Sequence, residues 1–98
     1  MSIYRIGETQ AKPELIGELR DFLLSIMPMI KSSQGCESVQ LFQNQDDPTK
    51  FTMMEVWDRM ESHRASVKNI PAELLGQIRP LLASTPSGSY FELLAENE

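Results

Sequence analysis

One cysteine, one histidine and one tryptophan are all that the 98-residue chain carries of the residues that most often do chemistry. Cys36 stands alone, so neither an internal disulfide nor a cysteine metal cluster can form. One histidine with one cysteine does not assemble a typical transition-metal site, and carboxylates by themselves would hold only a weak hard cation; no metal is expected. Basic charge is scarce as well: 9 Lys and Arg stand against 14 Asp and Glu, for a net charge of −5. That balance lacks the basic footprint of a nucleic-acid-binding protein and suits an anionic membrane no better. No apolar run approaches the ~18 residues of a spanning helix. The amino-terminal MSIYRIGETQ has neither a basic n-region nor an apolar stretch long enough for export. There is no G-x-G-x-x-G and no phosphate loop. A lone thiol beside six methionines points to a reducing compartment, and the expected location is the cytoplasm.

What is present is the composition of one ordinary globular domain, 41% hydrophobic and 23% charged. A domain of this size buries only about two-thirds of its unfolded surface, so a dimer interface would be a natural supplement to its core.

Phe51 to His63, FTMMEVWDRMESH, organises the rest. Its first half alternates as a strand from Lys50 to Trp57, with Phe51, Met53, Glu55 and Trp57 on one face. Thr52, Met54 and Val56 take the other. Its second half turns polar and helical to Asn69, with Asp58 or Ser62 as the candidate N-cap. Upstream, Ile3 to Glu8 reads as a short strand in which Gly7 marks a bulge or a close backbone approach. Pro13 opens a helix over Glu14 to Ile30. Leu15, Ile16, Leu19, Phe22, Leu23, Ile26, Met27 and Ile30 make one broad apolar stripe there, read as packing against a sheet. Pro28 should kink or end its last turn. Cys36 to Asn44 is the next strand, joined to the central one by the turn-forming Gln45 to Thr49.

Pro71 opens a further short helix with Leu74, Leu75, Ile78, Leu81 and Leu82 on its apolar face, bent or shortened at Pro80. A last strand is expected over Ser89 to Ala95. The order β, α, β, β, α, β is that of the ferredoxin-like split βαβ arrangement: an α+β fold with a four-stranded antiparallel sheet and its helices on one face. The opposite face keeps Met54, Val56, Phe42 and, on this reading, Tyr90. An uncovered apolar sheet face predicts a partner, most simply an identical chain.

The run Gly35-Cys36, Leu41-Phe42, Asp46-Asp47-Pro48, Lys50-Phe51 and Glu55-Val56-Trp57, with Pro80-Leu81-Leu82 later, resembles the antibiotic-biosynthesis monooxygenase family. The resemblance implies a homodimer whose two sheets face each other as a dimeric α+β barrel. It also implies, in catalytic members, oxygenation of phenolic or quinol-like aromatics without metal, flavin or haem, the substrate itself becoming the oxidisable anion. The chain departs from the family pattern at Met53, where some catalytic members carry asparagine, and at Ser66 and Val67, where many carry histidine. Its first strand has no asparagine and His63 is displaced by about one helical turn, which disfavours haem degradation. His63 does fall roughly where some catalytic members present a polar residue to substrate.

Within that frame His63 is the candidate general base, its ordinary pKa of about 6.5 suiting neutral pH, or else a solvated histidine on a polar helix. Trp57 is a wall for a planar ring or a bulky core filler at the strand end. Glu55 on a buried-type strand needs a partner, a raised pKa or an outward orientation, with Arg5, Arg59 and Arg64 as nearby cations. The expected ligand is a small aromatic molecule held between sheet and helices by Trp57, Phe22, Met53, Glu55 and Arg64, with His63 near the rim and no cofactor. The alternative is a non-catalytic dimeric barrel that binds a small molecule or serves as an accessory or stress-related domain.

Overall fold

The computed structural model describes all 98 residues. Strands β1 (Ile3–Gln10), β2 (Cys36–Gln43), β3 (Lys50–Trp57) and β4 (Ser87–Phe91) form one sheet in the order β2-β3-β1-β4. Every neighbouring pair is antiparallel. Helices α1 (Ile16–Lys31), α2 (Met60–Lys68) and α3 (Ala72–Ile78) complete the expected split βαβ order. Short 3-10 turns at Pro13–Leu15 and Arg79–Leu81 lie where Pro13 and Pro80 withhold a backbone donor. No helix is long and apolar enough to cross a membrane.

Register decides which side chains meet. Val39, Glu55, Arg5 and Tyr90 form one row across the sheet, and Leu41, Met53, Gly7 and Gly88 form the next. Both rows share the face of Phe51 and Trp57, since residues two apart along a strand point the same way. The core lies there: Ala11, Leu19, Leu23, Phe51 and Trp57 are the only buried residues, and none is polar. Leu19 and Leu23 come from the α1 stripe, as its spacing implied.

Four local expectations are corrected. Tyr90 belongs to the helix-covered face, because it pairs with Arg5; Phe91, opposite Tyr4, takes the open face instead. The last strand ends at Phe91 rather than Ala95, because β1 starts at Ile3 and leaves later residues no antiparallel partner. The bulge falls between Cys36 and Ser38, while Gly7 sits in unbroken register opposite Met53 and Gly88, and a Cβ on it would meet the Ser87 carbonyl oxygen at an ordinary 3.6 Å. Neither Asp58 nor Ser62 caps α2: the cap residue is the extended Arg59, and Ser62 Oγ donates instead to Asp58 Oδ1 at 2.5 Å. That pair rests on Gly35, whose φ of +89° and missing Cβ leave room for it.

Candidate functional site

Glu55 is the single carboxylate on the covered face of β3, and the sequence alternation that buries Trp57 buries it too. Its Oε1 accepts a hydrogen bond from Trp57 Nε1 at 2.9 Å. The tryptophan is thus both the largest fully buried side chain and the anchor that aims the carboxylate. Burial pushes the Glu55 pKa up, while the Trp57 hydrogen bond and the Arg5 guanidinium pull the other way without cancelling it.

His63 arrives from α2 and lies over the Glu55–Arg5–Tyr90 row. Its Nε2 is 3.9 Å from Glu55 Oε1, and its Nδ1 is 2.7 Å from Tyr90 Oη. The imidazole meets Trp57 edge-on at 5.5 Å between centroids and Tyr90 edge-on at 5.4 Å. Burial lowers its pKa, and the Arg5 and Arg64 charges lower it further, so the ring is neutral at neutral pH. Arg5 and Arg64 both stack on Tyr90, with 4.9 and 5.6 Å from guanidinium carbon to ring centroid. Gly88 makes this possible, since a Cβ there would stand 2.5 Å from the Arg5 guanidinium.

Glu55 and His63 are the charged and titratable lining of a partly open cavity of about 230 Å³ bounded by α1, α2, α3 and the end of β3. Its walls are apolar, with Phe22, Ile26 and Ile30 from α1 and Leu74 and Ile78 from α3. Ser33, Ser66 and Asn69 add the remaining polar groups. A polar atom of a bound molecule placed between Nε2 and Oε1 would be within hydrogen-bond reach of both, since their separation leaves them unbonded to each other.

Of the residues singled out from the sequence, the structure brings Glu55, His63 and Phe22 to this cavity. Trp57 is completely buried behind Glu55 and so is no wall for a ligand. Met53 packs on the Phe51–Leu19 core, and the methionine at the cavity is Met29. Arg64 does not line the cavity; it stacks on Tyr90, and its charge lowers the His63 pKa. The cavity residues of α1 and α3 were visible in the sequence only as parts of apolar stripes. A stripe broader than the core it serves is their one advance signal. Cys36 lies away from the cavity, and burial followed by the Glu55 charge raises its thiol pKa. No group of three or more His, Cys, Asp or Glu side chains comes together in a metal-binding cluster.

A split βαβ sheet with a helix-covered cavity defines an α+β domain of the ferredoxin-like class. The chain matches the sequence model of the antibiotic biosynthesis monooxygenase family over residues 2–71 and belongs to that family. A candidate antibiotic biosynthesis monooxygenase from Nitrosomonas europaea superposes with a TM-score of 0.86 at 15% identity, covering 95% of this chain and 90% of its own. The Mycobacterium tuberculosis protein Rv0793 gives 0.83 at 17% identity, with 100% of both chains covered. A further candidate member from Chloroflexus aurantiacus gives 0.74 at 28% identity, covering 100% of this chain and 98% of its own. No curated protein sequence matches the chain.

Proposed function

We propose that the chain oxidises a small aromatic hydroxyl compound with dioxygen, using no metal, flavin or haem, and that it acts as a cytoplasmic homodimer. The observation that carries this reading is the Glu55–His63 pair, which faces across 3.9 Å in a largely apolar cavity. Apolar walls favour a planar ring, and the cavity is smaller than the roughly 300–1,000 Å³ of drug-sized sites, which favours a compact one.

The chemistry asked of the protein is proton removal. A hydroxyarene in its keto form carries an acidic methylene. Loss of one of its protons to the site leaves an enolate whose electrons reduce dioxygen. One oxygen atom stays as a new carbonyl, and the other leaves as water with both methylene hydrogens. Glu55 and His63 are the groups placed to take the proton and to hold the developing oxyanion. The location rests on the lone, unactivated Cys36, which a reducing compartment leaves free.

The test is oxygen uptake by metal-stripped protein against hydroquinones, naphthols and anthrones. Turnover without added cofactor that Glu55→Gln reduces by ~10²–10⁴-fold is the expected result. Saturable binding of the same compounds with uptake no faster than autoxidation would replace this reading with that of a binding domain.

A further inference from the structure

We infer that Tyr90 is the positioning residue that decides which nitrogen of His63 carries the proton, making His63 a hydrogen-bond donor toward the cavity and leaving Glu55 as the proton acceptor. The inference rests on the proton chemistry proposed for this cavity and assigns its roles.

A phenol has one proton to give, and the hydrogen bond of Tyr90 Oη runs to His63 Nδ1 at 2.7 Å. The charged groups packed on the Tyr90 ring are Arg5 from β1 and Arg64 from α2, and guanidinium groups only donate. Were Nδ1 protonated, the phenolic hydrogen would have two cations for neighbours and no acceptor. The hydroxyl is part-buried, so that arrangement would leave its hydrogen to water beside two cations, a poorer pairing than donation to Nδ1. Tyr90 therefore donates, Nδ1 accepts, and the single proton of the neutral ring sits on Nε2.

Nε2 is the nitrogen that faces Glu55 Oε1 across 3.9 Å. The groups facing His63 from the packed elements are thus Glu55 of β3, Arg5 of β1, Tyr90 of β4 and, on its own helix, Arg64. With its proton already on Nε2, the imidazole has no lone pair to offer the cavity. In the deprotonation step the substrate C–H or O–H bond breaks and its proton goes to the Glu55 carboxylate. The electron pair stays on the substrate, and the oxygen it reaches accepts a hydrogen bond from His63 Nε2–H. The residue order is also set by the fold: Trp57 holds the carboxylate from behind, and Tyr90 holds the imidazole from the far side of β1.

The lone histidine makes the test direct, because selective ¹⁵N-histidine labelling reports His63 alone. The wild-type spectrum at neutral pH is expected to show an unprotonated, hydrogen-bonded Nδ1, a protonated Nε2 and a protected Tyr90 hydroxyl proton. Tyr90→Phe keeps the ring and removes the donor, so its Nδ1 resonance is expected to move toward that of a nitrogen accepting no hydrogen bond. A protonated Nδ1 in the wild type, or a Tyr90→Phe spectrum that superimposes on it, overturns the inference. If Tyr90→Phe does not fold, the wild-type spectrum still decides.

Turnover separates the roles. His63→Gln retains a side-chain N–H but cannot take a proton. It is expected to lose turnover, but less than the ~10²–10⁴-fold lost by Glu55→Gln. Equal losses in the two variants overturn the donor role. The assigned tautomer together with no oxygen uptake refutes the oxygenase reading and leaves the Tyr90 assignment standing.

Discussion

Glu55 occupies a strand position that alternation reserves for an apolar side chain, and its ionised form is costly there because burial outweighs the help from Trp57 and Arg5. The folded state therefore holds the Glu55 proton more tightly than the unfolded chain. Its contribution to stability is greatest in acid and falls as pH rises from the ordinary carboxylate range through its raised pKa. His63 has the opposite sign. Its pKa is lowered by burial and by Arg5 and Arg64, so its contribution is complete above about pH 6.5 and is lost as pH falls through the lowered value. Glu55→Gln removes the first slope only. Urea midpoints at roughly pH 8 are expected to be no lower in the variant than in the wild type, with any advantage gone by roughly pH 4. A variant less stable at both pH values would show that the carboxylate is a structural anchor rather than a strained one. At this scale the sequence showed half of the site. Glu55 was legible as the one carboxylate on the Trp57 face of its strand and His63 as the chain's one histidine, with only eight positions from the glutamate to the histidine. Tyr90 was misplaced, because a partner 27 positions away depends on the register of β4, which the alternation of that strand alone does not set.

At the scale of elements, β3 and α2 act as one unit that starts in the core and ends in the site. Trp57 closes β3, pairs with Ile3 and Cys36, and is wholly buried. Trp57→Ala should cost ~3–5 kcal/mol in a denaturant titration and release Glu55 from its donor; a cost near zero would return Trp57 to the role of ligand wall. The turn before β2 fixes where α2 begins. Gly35 accepts a backbone hydrogen bond from Asp58 at 2.8 Å. Its left-handed conformation and the contacts a Cβ would make, 2.5 Å from both Asp58 Oδ1 and Ser62 Oγ, exclude other residues. Gly35→Ala should destabilise by at least ~1–3 kcal/mol, the cost of such backbone strain before any clash is relieved. Thermal unfolding of the variant measures it, and an unchanged midpoint would mean that the turn re-forms. The helices and strands themselves were legible because their apolar periods differ so plainly, three to four residues in α1 against two in β3. Caps were less so: Asp58 and Ser62 are good cap formers that spend their hydrogen bond on each other.

For the molecule as a whole, five buried residues out of 98 make a small core, and the side of the sheet away from the helices adds nothing to it. Tyr4, Ile6, Met54 and Val56 form two cross-strand pairs at the centre of that side. Phe42 and Phe91 flank them from the edge strands, 48% and 49% exposed. An apolar sheet face left open to water invites a partner, and the homodimer proposed above would cover it with a second copy of the same face. The sequence already implied this face through Met54, Val56 and Phe42, although Phe91 and not Tyr90 supplies its outer aromatic. Light scattering at micromolar concentration is expected to give twice the monomer mass. Val56→Asp, which places a charge opposite Tyr4 without touching the Glu55 side of the strand, is expected to yield monomer and to lower the unfolding midpoint. Because the cavity lies wholly on the helix side of one chain, the same variant should still take up ligand where it stays folded. A monomeric wild type would show that the open face is tolerated in water, and an unaffected dimer in Val56→Asp would place the interface elsewhere.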